Sequence, residues 1–92
     1  MRRLVTIDLA CADLQVFEAY EAQVLPLMAR HGGRLEMRVR TADGLSETHL
    51  LFFPDLAAYE RYRSDPDRLA LQGEWAKSGA TSIGREVEVV TS

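Results

Sequence analysis

Residues 34–40, RLEMRVR, alternate polar and apolar side chains without a break. They directly follow Gly32-Gly33, which closes a helical pattern over residues 14–31. A period of 3.6 that gives way to a period of 2 across two glycines is a helix handing over to a strand. Few folds are compatible with that junction and a second strand close behind it. The alternation places Leu35, Met37 and Val39 on one face, expected to pack beneath the helices. It places Arg34, Glu36, Arg38 and Arg40 on the other.

The rest of the chain supplies the partners. Residues 3–9 (RLVTIDL) read as a strand with Val5, Ile7 and Leu9 on one face. Asp13 is a suitable N-cap for the first helix. In that helix Leu14, Val16, Phe17, Tyr20, Val24, Leu25, Leu27 and Met28 form one broad apolar arc. Pro26 falls on the polar side, and Glu21 falls inside the arc. Asp43-Gly44 turns the chain into a third strand, residues 47–53, with His49, Leu51 and Phe53 expected on the helix side. Asp55 caps a second helix, and Asp65-Pro66 restarts it. SGATSIG reads as a loop, and residues 85–90 as a last strand with Val87 and Val89 inward. The order strand, helix, strand, strand, helix, strand is the ferredoxin-like arrangement of the α+β class. It predicts a four-stranded antiparallel sheet with both helices on one face.

Composition sets the outer bounds. A chain of 92 residues is expected to form one domain over 1–92. Eleven basic and fourteen acidic residues are interspersed, for a net charge of −3, so no basic block is available for nucleic acid. The apolar runs are too short for a membrane helix or a signal-peptide core, and the expected location is cytoplasmic. Cys11 stands alone and builds neither an intrachain disulfide nor a zinc site.

YEAQVLPLMARHGGRLEMRV followed by LLFFPDLAAYERYRSDPD resembles the small bacterial proteins of the dimeric α+β barrel superfamily. The likeness is nearest to a family in it known only as a domain of unknown function. It rests on Pro26, Gly32-Gly33, Phe53-Pro54-Asp55 and Asp65-Pro66, which are structural punctuation. The resemblance therefore implies a fold and a homodimer, in which two sheets meet by their helix-free faces, and carries over no functional residue.

Candidate site residues follow from the charges on the strands. A ligand pocket is expected to draw on Asp8, Glu36, Arg38, His49, Glu86 and Glu88, with Arg38 holding a small anionic metabolite. The competing reading is a set of ion pairs that fixes the dimer. Glu21, a carboxylate in an apolar arc, must be paired, protonated or at a rim, and Arg63 is its expected partner. His31 suits the C-terminal turn of its helix. No His, Asp or Glu set has metal-ligand spacing, and no cofactor loop is evident, so neither metal nor cofactor is expected.

Two classes of function remain open. One is a non-catalytic or metabolite-binding module. The other is a small enzyme of monooxygenase or isomerase type that uses a polar residue in the barrel cleft. The two differ in one observable: an enzyme predicts a cavity holding a polar group of shifted pKa.

Overall fold

A computed structural model describes residues 1–91; Ser92, the last residue of the expected domain, lies outside the described residues. Strand β1 spans Arg2–Asp8, helix α1 Leu14–Val24, β2 Arg34–Arg40 and β3 Ser46–Phe52. Helices α2 (Leu56–Arg63), α3 (Pro66–Leu69) and α4 (Gln72–Ser78) follow, and β4 (Thr81–Val87) closes the chain. The sheet is antiparallel throughout, in the order β2-β3-β1-β4. The fold is the ferredoxin-like α+β arrangement, with β1 and β3 central.

Asp13 caps α1 as expected, accepting from the amides of Gln15 and Val16. The α-helix stops at Val24, earlier than its apolar period suggests. Residues Leu25–His31 continue as a 3-10 helix. Pro26 has no N–H for the carbonyl of Ala22, so the 13-atom ring cannot close there and the tighter turn takes over. Gly32, at φ 73°, ends the segment in the left-handed region. Gly33 serves a different need. A Cβ there would stand 2.7 Å from Cδ1 of Phe53, so the helix end can reach the sheet only without a side chain.

β3 alternates as expected. Glu47, His49 and Leu51 are buried on the helix side, and Phe53 beyond the strand is fully buried. β2 does not keep its alternation. Leu35 pairs with Leu51, but Met37 pairs with the next residue, Leu50, so Glu36 is an extra residue in the ladder. This bulge reverses every side chain after it. Arg38 and Arg40 turn toward α1, while Met37 and Val39 face outward at 42% and 49% exposure. The expectation of Met37 and Val39 as core, and of Arg38 and Arg40 on the open face, is thereby corrected.

β4 also differs from expectation. It begins inside the stretch read as a loop and ends at Val87, so Val89 lies past it and is exposed. Its inward positions, opposite Ile7, Val5 and Arg3, are Ser82, Gly84 and Glu86. Val87 pairs with Arg2 and faces out. The strand is edge-like and polar. It leaves space under the helices that larger residues would have filled.

The core is split accordingly. One cluster joins Val24, Leu27, Met28, Leu51, Phe53, Ala58 and Tyr62. The other joins Ile7, Leu9, Phe17 and Ala80, with Trp75 packed against it. Val5 touches both. A cavity opens between the two clusters, and its walls include Ile7, Val24, Leu51 and Tyr62.

Candidate functional site

The cavity measures about 410 Å³ and lies between the helices and the sheet. That volume falls in the range of small-molecule sites. Its aromatic walls are Tyr20, Tyr59, Tyr62 and Trp75. Tyr20 and Trp75 have ring centroids 5.3 Å apart. Glu21 and His49 are the acid and the imidazole among its lining.

Glu21 enters the cavity because it shares the apolar arc of α1 with Phe17 and Val24, both buried. It is 3% exposed, and its Oε2 has no hydrogen-bond partner among the described residues. Nε2 of His49 lies 3.9 Å from it. The expected partner, Arg63, lines the same cavity but stacks near Tyr59, with its Cζ 5.9 Å from that ring. Burial pushes the Glu21 carboxyl up to about 7. The carboxylates of Glu47 and Glu18 push the same way, against Arg38 and Arg40.

His49 is anchored from behind. Its Nε2 lies 2.6 Å from Oε2 of Glu47, which is 2% exposed. Glu47 in turn accepts from Nε of Arg38 and from Nε of Arg40, each at 2.9 Å. Both arginines also reach Glu18 on α1. Burial opposes ionisation of Glu47, but hydrogen bonds from Arg38, His49 and Arg40 outweigh it and hold its pKa below the ordinary value. Burial lowers the His49 pKa despite the Glu47 contact. Glu47 is therefore a carboxylate and His49 a neutral imidazole that donates from Nε2, because an ionised carboxylate only accepts. Two arginines balance Glu18 and Glu47, and no arginine forms an ion pair with Glu21 among the described residues.

One ligand atom each from Glu21, Glu47 and His49 lies within 4.8 Å of the others. That grouping has the size of a cation site. Glu47, however, is engaged by two guanidinium groups and the imidazole. The arrangement is better matched to handling a proton than to binding a cation.

The sequence-expected residues separate into distinct places. Glu21 and His49 line the cavity. Arg38 stands behind it, braced on Glu47 and Glu18, and is not among the cavity lining. Glu36 sits on the opposite face, where Nε of Arg2 approaches to 2.6 Å and Arg34 to 3.4 Å. Asp8 accepts from the Ala10 amide and shapes the turn after β1. Glu86 and Glu88 are exposed and make no ion pair among the described residues. His31 binds Asp65 at 2.8 Å and ties the 3-10 helix to α3.

Glu47 was missed, although the parity of β3 puts it beside His49 and Leu51. Arg3, Arg63 and Arg68 were missed as cavity residues as well. Arg3 shares the inward parity of Val5 and Ile7, which was the available signal.

Comparison with solved structures places this geometry in a known fold. SnoaB, a cofactor-independent oxygenase from Streptomyces nogalater, superposes with a TM-score of 0.81 at 19% identity, covering 99% of this chain and 94% of that one. A putative antibiotic biosynthesis monooxygenase from Nitrosomonas europaea gives 0.69 at 11% identity, covering 95% and 98%. A dabb family protein with a ferredoxin-like fold from Mesorhizobium loti gives 0.59 at 17% identity, covering 96% and 98%. The shared feature is the ferredoxin-like α+β fold. No family model and no curated protein matches the chain.

Proposed function

We propose that the chain is a small enzyme that abstracts a proton from a flat, unsaturated substrate held in the cavity, with Glu21 as the base. The observation that carries this reading is the unpartnered Oε2 of Glu21, buried in the cavity wall beside His49. A buried carboxyl without a partner costs stability that an apolar side chain of similar size would not. Its titration near neutrality suits a general base at physiological pH. The Glu47–Arg38–Arg40 support fixes the neighbouring imidazole in orientation, as a supporting shell does for a catalytic group, while burial favours its neutral form.

In the step itself, Glu21 takes a proton from a carbon next to a carbonyl. The C–H electron pair stays on the substrate as an enolate. Returning the proton to a different carbon completes an isomerisation. Transfer of electrons from the enolate to dioxygen begins an oxygenation, the chemistry class printed for SnoaB. The abstraction is common to both. The working form is a homodimer joined through the open sheet face, where Met37, Val39, Leu50 and Ile83 present apolar surface.

The test uses 2-tetralone, whose C1 protons are acidic and whose ring is flat. Incubated with the protein in D2O, it is expected to gain deuterium at C1 faster than in buffer, by NMR, and Glu21→Gln abolishes the excess. Oxygen consumption measured in parallel distinguishes the oxygenase outcome from the isomerase one. Exchange at the buffer rate, with the probe bound, would overturn the enzyme in favour of a binding module.

A further inference from the structure

The cavity carries an excess of positive charge that proton abstraction does not use. Three guanidinium groups, from Arg3, Arg63 and Arg68, line it, against one carboxyl, that of Glu21. None of the three arginines forms an ion pair with a carboxylate among the described residues, whereas Arg2, Arg30, Arg34, Arg38 and Arg40 each do. Three such cations are gathered around one cavity, although the chain has fourteen acidic residues.

They are also held in place. The Arg3 guanidinium lies across Gly84, with Nε 3.0 Å from where a Cβ would stand, and its Cζ is 5.0 Å from the Tyr59 ring. Arg63 lies against the same ring. Arg68 stacks on Tyr62 at 5.0 Å and donates from a terminal nitrogen to the Arg63 carbonyl at 3.2 Å. Its Nε is buried without a partner. Aromatic faces orient the guanidinium planes and leave their N–H edges free, which is the presentation a planar oxyanion accepts. A buried donor with nothing to bond is a vacancy of the kind a ligand fills.

The charges are graded as well. Glu21 and His49 are buried, Arg3 and Arg68 half-buried, and Arg63 exposed. The cations therefore sit nearer the opening than the acid does.

We propose that Arg3, Arg63 and Arg68 form a subsite for a carboxylate carried by a flat, aromatic ligand whose ring lies in the cavity. This rests on the reading of the cavity as a substrate site and adds to it the charge class of the substrate. A carboxylate at the opening orients the ring toward Glu21 and draws the ligand in through the surrounding positive potential. It also explains the small and polar inward residues of β4: Gly84 exists there to make room for Arg3.

Trp75 is the only tryptophan and lines the cavity, so its emission reports occupancy. The probes are 2-naphthoate and 2-acetonaphthone, which share ring and outline and differ in charge. The expected result is 2-naphthoate binding tighter by about tenfold, a preference that shrinks as salt is raised. Arg68→Gln and the exposed Arg63→Gln each reduce that preference and leave 2-acetonaphthone binding unchanged. Equal affinity for the two probes in the intact protein would overturn the subsite while leaving the cavity as a substrate site. Binding of neither probe would overturn the substrate site itself, and the subsite with it.

Discussion

Oε2 of Glu21 and Nε2 of His49 stand 3.9 Å apart, one from the apolar face of α1 and the other from the inward face of β3. Neither side chain meets water freely, and the gap is too long for a hydrogen bond. The pair is brought together by packing and is not tied together by its own attraction.

The first prediction concerns pH and Glu21. Its folded pKa, about 7, lies above the ordinary 4.5. The native state then holds a proton that the unfolded chain releases, so stability falls as pH rises from about 4.5 to about 7 and is level above that. The shift corresponds to an effect of about 3 kcal/mol. Urea denaturation across that window is expected to show the decline, and Glu21→Gln to flatten it. A profile identical in the two proteins would place the carboxyl in a solvated setting.

Glu47 predicts the opposite window. Its pKa is held low, so its contribution is present above the unfolded value and lost as pH falls below it. Glu47→Leu leaves Arg38 and Arg40 with Glu18 alone and is expected to cost about 2–4 kcal/mol by denaturant titration. Arg38 and Arg40 are each about a third exposed, which keeps the loss at the lower end. Arg38→Met with Glu47→Leu is expected to recover part of it.

Gly33→Ala is expected to destabilise by about 2–3 kcal/mol. The new methyl would collide with the Phe53 ring, which is fully buried and has nowhere to move. Thermal unfolding of the variant measures it. Gly73→Ala is the control, since a Cβ there meets nothing within 4 Å.

Ile83→Glu tests the assembly. Ile83 is 66% exposed on the open face of β4, beside Thr6 of β1. A charge there is expected to shift the proposed homodimer to monomer in sedimentation equilibrium, with the circular dichroism of the monomer unchanged. A monomeric parent protein at micromolar concentration would defeat the expectation.

The sequence made some parts of this structure legible and concealed others for physical reasons. β3 was readable because its parity is unbroken from Glu47 to Phe53, so one buried residue fixes the rest. The N-caps and Gly32-Gly33 were readable because each answers a local backbone need. β2 misled because a bulge leaves no mark in a side-chain pattern; RLEMRVR alternates perfectly while the strand it forms does not. β4 misled because Ser82 and Gly84 resemble loop residues. They stand in the strand because the cavity and Arg3, not a helix, lie above them. Glu21 was recognisable as anomalous from its place in the arc. Its neighbour His49 was not predictable, because their meeting depends on how α1 lies across the sheet.

The extra residue at Glu36 has a consequence for how such a chain can change. Pairing that residue regularly with Leu50, with no bulge, would roll the rest of β2 over, tucking Met37 and Val39 beneath α1 and casting Arg38 and Arg40 outward. Glu47 would lose both cations at once, and His49 its fixed support. The polar interior and the apolar exterior are thus two readings of the same seven residues, separated by one step of register.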